Sequence, residues 1–246
     1  NIAVIGCGFV GETVAEFLES HLVNVWRIDP KLYPSTKIVD CDAYIICVPT
    51  PEGKDGECDD SIVKQVITEL NTHKPILLKS TVTPDLMHEY PDNVTYNPEF
   101  LRALHAKEDF AKQPLFVLGG NNQEQLDFWE KLFSHLNTYV VQTNRTTASM
   151  IKYTHNAWLA TKVAFFHELF ANGPKDMNYS VLTTALAQIP GIGKTHMLAP
   201  NSKQTLGFDG HCFPKDTKAL TNYMDHTILE QVITTNKRLN KRSVKV

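Results

Sequence analysis

The first half of the chain alternates short apolar runs with stretches in which apolar residues recur every three or four positions. The amphipathic stretches predict helices over Phe9–Ser20, Ser61–Leu70 and Asn122–Leu136. This alternation favours a doubly wound, mostly parallel α/β sheet, which we assign to residues 1–144. The apolar runs predict its strands: Ile2–Gly6, Asn24–Asp29, Ala43–Val48, Pro75–Thr81, Val94–Asn97, Leu115–Gly119 and Tyr139–Val141.

The pattern changes near Arg145. Neither Pro nor Gly occurs from Arg145 to Ala171, and apolar residues recur there at helical spacing. One long helix is therefore predicted, followed by an all-α second domain over residues 145–246. The other predicted elements of that domain are helices at about Ser180–Gln188, Thr217–Met224 and Thr227–Arg238, with a loop from Ile189 to Gly210.

Composition excludes several functional classes. Hydrophobic residues make up 42% and charged residues 21% of the 246, which is ordinary for a soluble globular protein. A net charge of -3 gives no support to nucleic-acid binding. No apolar run is long enough to span a bilayer, and no secretory signal opens the sequence. The ten histidines form no HExxH-like cluster, so no metal site is predicted.

The five cysteines show no C-x-x-C spacing. An odd number in such a chain is typical of reduced thiols, which favours a cytoplasmic location. Unpaired cysteines most often behave as small buried hydrophobes, and we interpret four of the five in this way. The fifth, Cys212, lies in a motif described below.

A glycine-rich run, Gly6-Cys7-Gly8-Phe9-Val10-Gly11, lies between the first predicted strand and the first predicted helix. This is the context that a G-x-G-x-x-G dinucleotide-binding turn of a Rossmann-type domain requires. Its first glycine permits the tight turn, the second lets a pyrophosphate approach the backbone, and the third allows close helix–sheet packing. The three glycines, Phe9 and Val10 are therefore predicted to bind the cofactor at the helix start.

Asp29 ends the second predicted strand, about twenty residues further on. A carboxylate at this point binds the ribose 2′-hydroxyl and repels a 2′-phosphate, so NAD is predicted rather than NADP. The alternative is a glycine-rich strand end in an unrelated α/β protein.

Polar groups also follow three other predicted strands, in the segments Cys47–Pro51, Lys79–Val82 and Tyr96–Arg102. Ligands of open parallel sheets bind at the carboxyl ends of the strands, which predicts that these groups face the cofactor crevice. Taken singly, each segment has the composition of an ordinary turn. The polar groups concerned are the hydroxyls of Thr50, Ser80 and Thr81 and the carboxylate of Glu99. The three hydroxyl residues and Val48 are predicted to bind the cofactor.

Lys152 and Asn156 are four residues apart in the long predicted helix, hence on one face. An ammonium and an amide side by side can stabilise an oxyanion on a substrate alcohol or aldehyde. The simpler alternative is a polar pair that faces solvent.

The stretch Gly207–Asp216 reads GFDGHCFPKD and places Cys212 at a predicted helix start, with Pro214 near the first helical position. A helix N-terminus and the nearby Lys215 would both lower a thiol pKa and favour a nucleophilic thiolate. Asp216 can hold a water molecule or act as a base. The alternative for Cys212 is a buried, inert thiol.

Taken together, these motifs resemble those of the UDP-glucose/GDP-mannose dehydrogenase family, in the same order, from residue 1 to about residue 240. The matching strings are GCGFVG, VPTP, STV, NPEFLR, a Lys-x-x-x-Asn in a long helix, and GFDGHCFPKD. The NPEFL and CFPKD strings resemble the hexose-oxidising branch rather than the N-acetylmannosamine branch. The resemblance implies NAD-dependent, four-electron oxidation of a nucleotide-sugar primary alcohol to a uronic acid, with UDP-glucose favoured and GDP-mannose second.

The resemblance also implies residue roles. Cys212 would be the nucleophile that forms a thiohemiacetal and a thioester, while Lys152 and Asn156 steady the oxyanion. Asp216 and Thr81 would position or deprotonate water, with Glu99 as an assisting base. The predicted substrate contacts are Glu99, Leu101, Arg102, Lys152, Asn156 and Gly210.

The sequence departs from the family pattern in several places. Gly191 stands where the family has an Arg that reaches the sugar across the dimer, Asp209 replaces a glycine, and Ala103-Leu104 replaces Glu-Gly. The segment between Asp29 and Ala43 is short, so we expect one helix and strand to be missing. The family's further nucleotide-sugar domain does not follow, and we expect either a short form or a truncated chain.

Two other functions stay open. A β-hydroxyacid-type dehydrogenase shares the first motif and the Lys-x-x-x-Asn helix, but removes two electrons and needs no cysteine. A catalytically degenerate NAD-binding or subunit-interaction protein would keep only the cofactor residues. The long helix carries more apolar positions than one small domain covers, which predicts a homodimer through it.

Overall fold

The computed structural model describes residues 1–34, 38–225 and 227–242, without the side chains of Asp55 and Ala103. The chain forms two compact units, Asn1–Gly53 with Cys58–Lys152, and Lys54–Glu57 with Tyr153–Val246. Compactness alone does not show which part folds independently, so the predicted domain boundary between residues 144 and 145 stays a prediction.

The first unit contains a seven-stranded sheet, in the order β2-β1-β3-β4-β5-β6-β7. Every described pair of neighbouring strands is parallel except β5 with β6, which run antiparallel. This confirms the predicted α/β fold class. The strands are β1 (Ile2–Ile5), β2 (Val25–Ile28), β3 (Ala43–Ile46), β4 (Ile76–Leu78), β5 (Val94–Tyr96), β6 (Leu115–Gly119) and β7 (Tyr139–Thr143).

Continuous apolar sequence explains why the central strands lie inside. Every residue of β1, β3 and β4 is buried, as expected for parallel strands covered on both faces. Alternate residues of β1 enter different cores: Ala3 and Ile5 pack on one face, Ile2 and Val4 on the other. The central strands therefore pack against apolar side chains on both faces of the sheet.

Four α-helices flank the sheet: α1 (Phe9–Ser20), α2 (Ser61–Leu70), α3 (Ala106–Ala111) and α4 (Gln123–Leu132). The prediction of one helix over Asn122–Leu136 was wrong at its end, because α4 stops at Leu132 and a 3-10 turn, Ser134–Leu136, follows. The six-residue α3 was not predicted, since it is too short to show a helical period. Between β2 and β3 the described residues 29–34 and 38–42 hold neither helix nor strand, in line with the short segment noted in the sequence.

The long helix α5 (Arg145–Asn172) runs for 28 residues, as predicted. It is followed by α6 (Tyr179–Leu186), α7 (Cys212–Met224) and α8 (Thr227–Leu239). The range of about Thr217–Met224 predicted from the apolar pattern was wrong at its start, whereas the helix start predicted at Cys212 from the GFDGHCFPKD stretch is confirmed, with Pro214 in the first turn. Residues 187–211 contain neither helix nor strand. Within the described ranges, no helix combines the length and apolarity needed to cross a membrane.

Candidate functional site

The turn after β1 needs two of its three glycines for its own geometry. Gly6 has a φ of +87°, and a Cβ there would lie 2.7 Å from the Cys47 carbonyl oxygen. A Cβ on Gly11 would lie 2.0 Å from the Gly6 carbonyl oxygen. At Gly8, by contrast, a Cβ would meet no atom of the described chain within 4 Å. The open space at the start of α1 therefore fits the close approach of a dinucleotide pyrophosphate.

Phe9 and Val10 occupy the first turn of α1, where Phe9 is 44% exposed and Val10 half-buried. Their amides belong to the first turn of a helix, where N–H groups have no intrahelical partner. This position is compatible with the predicted role in phosphate binding.

The Asp29 carboxylate holds the glycine-rich turn from the end of β2. It accepts hydrogen bonds from the amides of Cys7 at 2.9 Å, Lys31 at 2.9 Å and Leu32 at 3.2 Å. Burial opposes ionisation, but the three amides outweigh it and lower the pKa of Asp29. The sequence indicated a ribose-binding carboxylate; its bond to the Cys7 amide was not anticipated.

The ends of β3 and β4 are tied together by hydroxyl groups. Ser80 Oγ donates to the Val48 carbonyl at 2.7 Å, and Thr50 Oγ1 donates to the Thr81 carbonyl at 2.7 Å. The structure thus brings Val48, Thr50, Ser80 and Thr81 together at one edge of the sheet, as their positions after the strands predicted. Their part in cofactor binding stays a prediction.

A buried lysine, Lys79, lies just before these hydroxyls in the chain. No separate role was predicted for it from the sequence. Lys79 Nζ donates to Asn97 Oδ1 at 2.5 Å, and Asn97 Nδ2 donates to the Val117 carbonyl at 2.6 Å. Burial lowers the pKa of Lys79 to about 8. In the sequence, the signal for such a group was a lysine directly after an apolar strand.

Glu99 and Lys152 form a buried ion pair in the first unit. Lys152 Nζ donates to the Glu99 backbone oxygen at 2.5 Å and to its Oε1 at 2.8 Å, while Glu99 Oε2 accepts from the Leu101 amide at 2.7 Å. Burial opposes ionisation of Glu99, but the Lys152 charge and these hydrogen bonds outweigh it and lower the pKa of Glu99. Glu99 is therefore an anion at neutral pH.

Arg102 is not brought to Glu99 but pairs with Asp109. Its Nε lies 3.0 Å from Asp109 Oδ2 and its Nη2 lies 2.6 Å from Oδ1, and 66% of its side chain is exposed. Leu101 is half-buried beside it, with its amide on Glu99. The predicted substrate contacts of Leu101 and Arg102 stay predictions.

In the second unit, Asn156 and Asp216 are both buried and directly bonded. Asn156 Nδ2 donates to Asp216 Oδ2 at 2.6 Å, and Lys215 Nζ lies 2.7 Å from Asp216 Oδ1. Because Lys152 is 3% and Asn156 4% exposed, the alternative of a solvent-facing pair on α5 is excluded. Lys215 is thus paired with Asp216, and its expected effect on the Cys212 thiol stays a prediction.

Cys212 is exposed and is the first residue of α7, so the alternative of a buried thiol is excluded. The end of a helix that carries free N–H groups favours an anion such as a thiolate. Gly210, two residues earlier, has a φ of +83° and open space where a Cβ would be.

Asp209 is paired with Lys203 at 2.7 Å, and at Gly191 a Cβ would also meet no described atom within 4 Å.

A parallel sheet with a glycine-rich turn that fits a dinucleotide, followed by a helical unit with an exposed cysteine, defines a dinucleotide-binding protein of the dehydrogenase class. The chain belongs to the UDP-glucose/GDP-mannose dehydrogenase family: the sequence model of the family's NAD binding domain matches residues 31–137 and that of its central domain matches residues 146–242. The resemblance inferred from the motifs is thereby confirmed, and so is NAD as the cofactor.

Known proteins of this family are similar over most of the chain. UDP-glucose 6-dehydrogenase of Rickettsia bellii is 35% identical over 224 residues, which is 82% of this chain and 50% of that protein. The chain thus spans about half the length of that relative. The structure of a UDP-glucose dehydrogenase from Pyrobaculum islandicum matches with a TM-score of 0.84 at 24% identity, over 96% of this chain and 68% of the other.

The fold alone does not separate the two kinds of dehydrogenase considered from the sequence. Mycobacterium tuberculosis 3-hydroxyisobutyrate dehydrogenase also matches, with a TM-score of 0.74 at 15% identity, over 98% of this chain and 95% of that one. Function therefore has to be inferred from the site.

Proposed function

We propose that this chain carries the machinery for NAD-dependent, four-electron oxidation of a nucleotide-sugar primary alcohol to a carboxylate. UDP-glucose is the preferred substrate in this proposal and GDP-mannose the second. The observation that carries it is Cys212, exposed at the first position of α7, with the buried Asp216 one helical turn further on. A two-electron dehydrogenase has no use for this arrangement.

Bound NAD supplies the hydride acceptor, one molecule for each of the two oxidations. In the first oxidation a base takes the hydroxyl proton while the sugar carbon loses hydride, which gives an aldehyde. The Cys212 thiolate then adds to the aldehyde carbon, and the resulting thiohemiacetal loses hydride to become a thioester. Water cleaves the thioester and releases the carboxylate and the thiol. In total one alcohol, two NAD⁺ and one water give one carboxylate, two NADH and three protons.

Lys152 and Asn156 are suited to hold the developing oxyanion. An ammonium has three N–H donors, and the described residues take two from Lys152, both through Glu99. The Asn156 amide has two N–H donors, of which Asp216 takes one. Each side chain is held firmly and keeps a donor for a substrate oxygen, so little reorganisation is needed when charge develops.

Asp216 and Glu99 are the carboxylates proposed for the hydrolytic step, together with the Thr81 hydroxyl that would position water. Ionised Glu99 can accept a proton from water, which is what an assisting base requires. Asp216 is 1% exposed and bonded to Asn156 and Lys215, so we assign it the positioning of water.

The number of NADH molecules formed per substrate tests the proposal. The protein is incubated with NAD and either UDP-glucose or GDP-mannose, and NADH and acid product are both measured. Two NADH per acid support the proposed route. One NADH without acid supports the two-electron alternative, and NAD binding without turnover supports a degenerate protein.

We also propose that the chain forms a homodimer through α5. Trp158 and Phe165 lie seven residues apart on this helix, hence two turns along one face, and are 61% and 62% exposed. Large exposed aromatic side chains at such spacing suit a subunit interface. Light scattering that finds a monomer at micromolar concentration would refute the dimer.

A further inference from the structure

The segment that leads to Cys212 has no regular structure of its own and is held by side chains. Residues 187–211 contain neither helix nor strand, although Met197, Ala199, Leu206 and Phe208 are buried. Buried backbone groups without a ladder need other hydrogen-bond partners. The side chains that supply them include Lys162 to the Ile192 carbonyl at 2.7 Å, Tyr179 to the Met197 carbonyl at 2.7 Å, and Asn236 to both N and O of Phe208 at 2.7 and 3.0 Å.

One buried imidazole joins two points of this segment. His167 on α5 is 2% exposed; its Nε2 lies 2.7 Å from the Leu198 carbonyl oxygen and its Nδ1 lies 2.8 Å from the Gly207 amide nitrogen. The two backbone positions are nine residues apart along the chain. The ring therefore closes the loop between Leu198 and Gly207.

The partners fix the protonation state of the ring. A backbone N–H can only donate and a carbonyl can only accept, so Nδ1 carries a lone pair and Nε2 carries the hydrogen. A second proton on Nδ1 would place two donors against each other at the Gly207 amide. Burial lowers the pKa of His167, although its bond to Leu198 acts in the opposite sense.

The Gly207 end of this bridge is connected directly to the nucleophile. Gly207 has a φ of +85°, the next residue Phe208 is bonded at both N and O to Asn236, and Cys212 begins α7 four residues after Phe208. The bond from His167 thus fixes the start of the short segment that carries Cys212. Losing it removes the side-chain attachment at Gly207 and leaves the segment attached through the Asn236 bonds at Phe208.

We propose that neutral His167, in its Nε2–H form, is a positioning residue for Cys212, and that protonation of His167 below neutral pH releases the Cys212 segment. The proposal rests on the proposed function in that Cys212 is taken as the nucleophile. It adds a residue and a pH dependence to that function.

Charged and titratable groups on the surrounding elements include several that are paired or bonded. Lys162 and Tyr179 donate to loop carbonyls, Glu168 lies 3.5 Å from Arg238 of α8, Lys203 lies 2.7 Å from Asp209, and Arg242 lies 2.9 Å from Asn172. A second histidine of the loop, His196, has its ring 5.8 Å from that of Phe213 in α7. Because His196 is unchanged in variants of His167, a comparison of those variants with wild type isolates the protonation of His167.

Two variants separate the two hydrogen bonds. In His167→Asn the amide oxygen can take the place of Nδ1 and accept from Gly207, whereas in His167→Gln the amide nitrogen can take the place of Nε2 and donate to Leu198. Neither side chain titrates. His73→Asn, at an exposed histidine of the first unit, is the matched control.

The first measurement needs no variant and no turnover. Imidazole ¹⁵N shifts of the full chain at about pH 7.5 should show His167 neutral, with hydrogen on Nε2. A protonated ring, or hydrogen on Nδ1, overturns the proposal.

The second measurement is the rate at which iodoacetamide alkylates Cys212, followed on the peptide that contains it from about pH 5 to about pH 8. At about pH 8, the ratio of the wild-type alkylation rate to the His167→Gln alkylation rate should differ from one by about threefold or more. It should approach one as His167 becomes protonated. His167→Asn should stay close to wild type at the upper end, and His73→Asn throughout. A wild-type to Gln ratio that does not change with pH overturns the proposal.

The third measurement is acid formation. His167→Gln should lose about tenfold or more in acid produced, with the first hydride transfer within about twofold of wild type, since that step does not need the thiol. An equal loss in both steps contradicts a positioning role. If wild type itself makes no acid, the proposed function fails, while the ring shifts and the alkylation ratio still decide the role of His167.

Discussion

The two units hold their functional groups by different means. In the first unit, Asp29, Ser80 and Glu99 follow strands of one sheet, and the strand ends fix their positions. In the second unit, Cys212 follows an irregular segment whose buried backbone is bonded to side chains of α5, α6 and α8. In the first arrangement backbone ladders fix the strand ends, whereas in the second buried apolar side chains such as Leu206 and Phe208 act together with single hydrogen bonds from side chains to the backbone.

This difference predicts how substitutions act. A change at the sheet edge is opposed by the whole core, so its effect appears mainly in cofactor affinity or in global stability. Removing one hydrogen bond from the Cys212 segment leaves its buried apolar side chains in place and should alter chemistry at little expense to the fold. The predictions below test this contrast, beginning with the largest expected effect.

The largest effect is expected for Cys212→Ser. A serine hydroxyl at an exposed helix start is a far weaker nucleophile than a thiolate, so formation of acid should fall by about a thousandfold or more. The first NADH should still form, because that step uses only the cofactor and a base. NADH and acid are measured separately in single-turnover experiments. The free energy of unfolding should stay within about 0.5 kcal/mol of wild type. Full turnover by the variant would contradict the thioester route.

The largest effect on stability is expected for Lys152→Met. It would leave the Glu99 carboxylate buried without its cation, and breaking a buried pair in this way costs about 3–5 kcal/mol. Urea unfolding gives the free energy of unfolding. Lys107→Met is the matched control, because the Lys107–Glu16 pair is exposed and should contribute at most about 1 kcal/mol. Equal losses of unfolding free energy in both variants would show that burial does not increase the contribution of the Lys152–Glu99 pair.

The same contrast explains what could be predicted from sequence. The glycine-rich turn and the strands are recognised from runs of a few residues, and Asp29 from its spacing of about twenty residues after the turn. The fold class followed from the alternation of strands and helices. Helical spacing placed Lys152 and Asn156 on one face, while their proposed roles came from the resemblance to the family. These signals are local, so a single sequence contains them.

The groups that the sequence did not reveal have distant partners. His167 bonds to Leu198, 31 residues away, and to Gly207, 40 residues away, and both partners are backbone atoms. Asn236 bonds to Phe208 at a separation of 28 residues. Because nearly every residue has a backbone N–H and a carbonyl group, a backbone partner cannot be recognised from the sequence. The hydrogen bonds of His167 and Asn236 could therefore not be inferred before the fold was known.

A moderate effect that separates structure from ligand binding is expected for two glycine variants. Gly11→Ala places a Cβ against the Gly6 carbonyl and should destabilise the fold by about 1–3 kcal/mol. Gly8→Ala meets no described atom, so stability should change by less than about 0.5 kcal/mol while NAD affinity falls, because the methyl group occupies the space of the pyrophosphate. Scanning calorimetry measures the stability of each variant, and titration calorimetry measures its affinity for NAD. A Gly8→Ala variant with wild-type NAD affinity would show that the pyrophosphate does not approach there.

The smallest effect, and the one that compares the units most directly, is their response to acid. His167 and Glu99 both have a folded pKa below the ordinary value, 6.5 for histidine and 4.5 for glutamate. The unfolded chain therefore binds the extra proton first, and stability rises with pH across each interval. The contribution of His167 is complete above 6.5 and is lost as pH falls below it, whereas that of Glu99 is retained until pH falls below 4.5. On acidification, the Gly207 amide should lose protection from hydrogen exchange, corrected for its intrinsic rate, before the amides of β4 and β5 do. His167→Asn should remove the early loss and Glu99→Gln the late one; simultaneous loss in both units would mean that the Cys212 segment is no easier to release than the sheet.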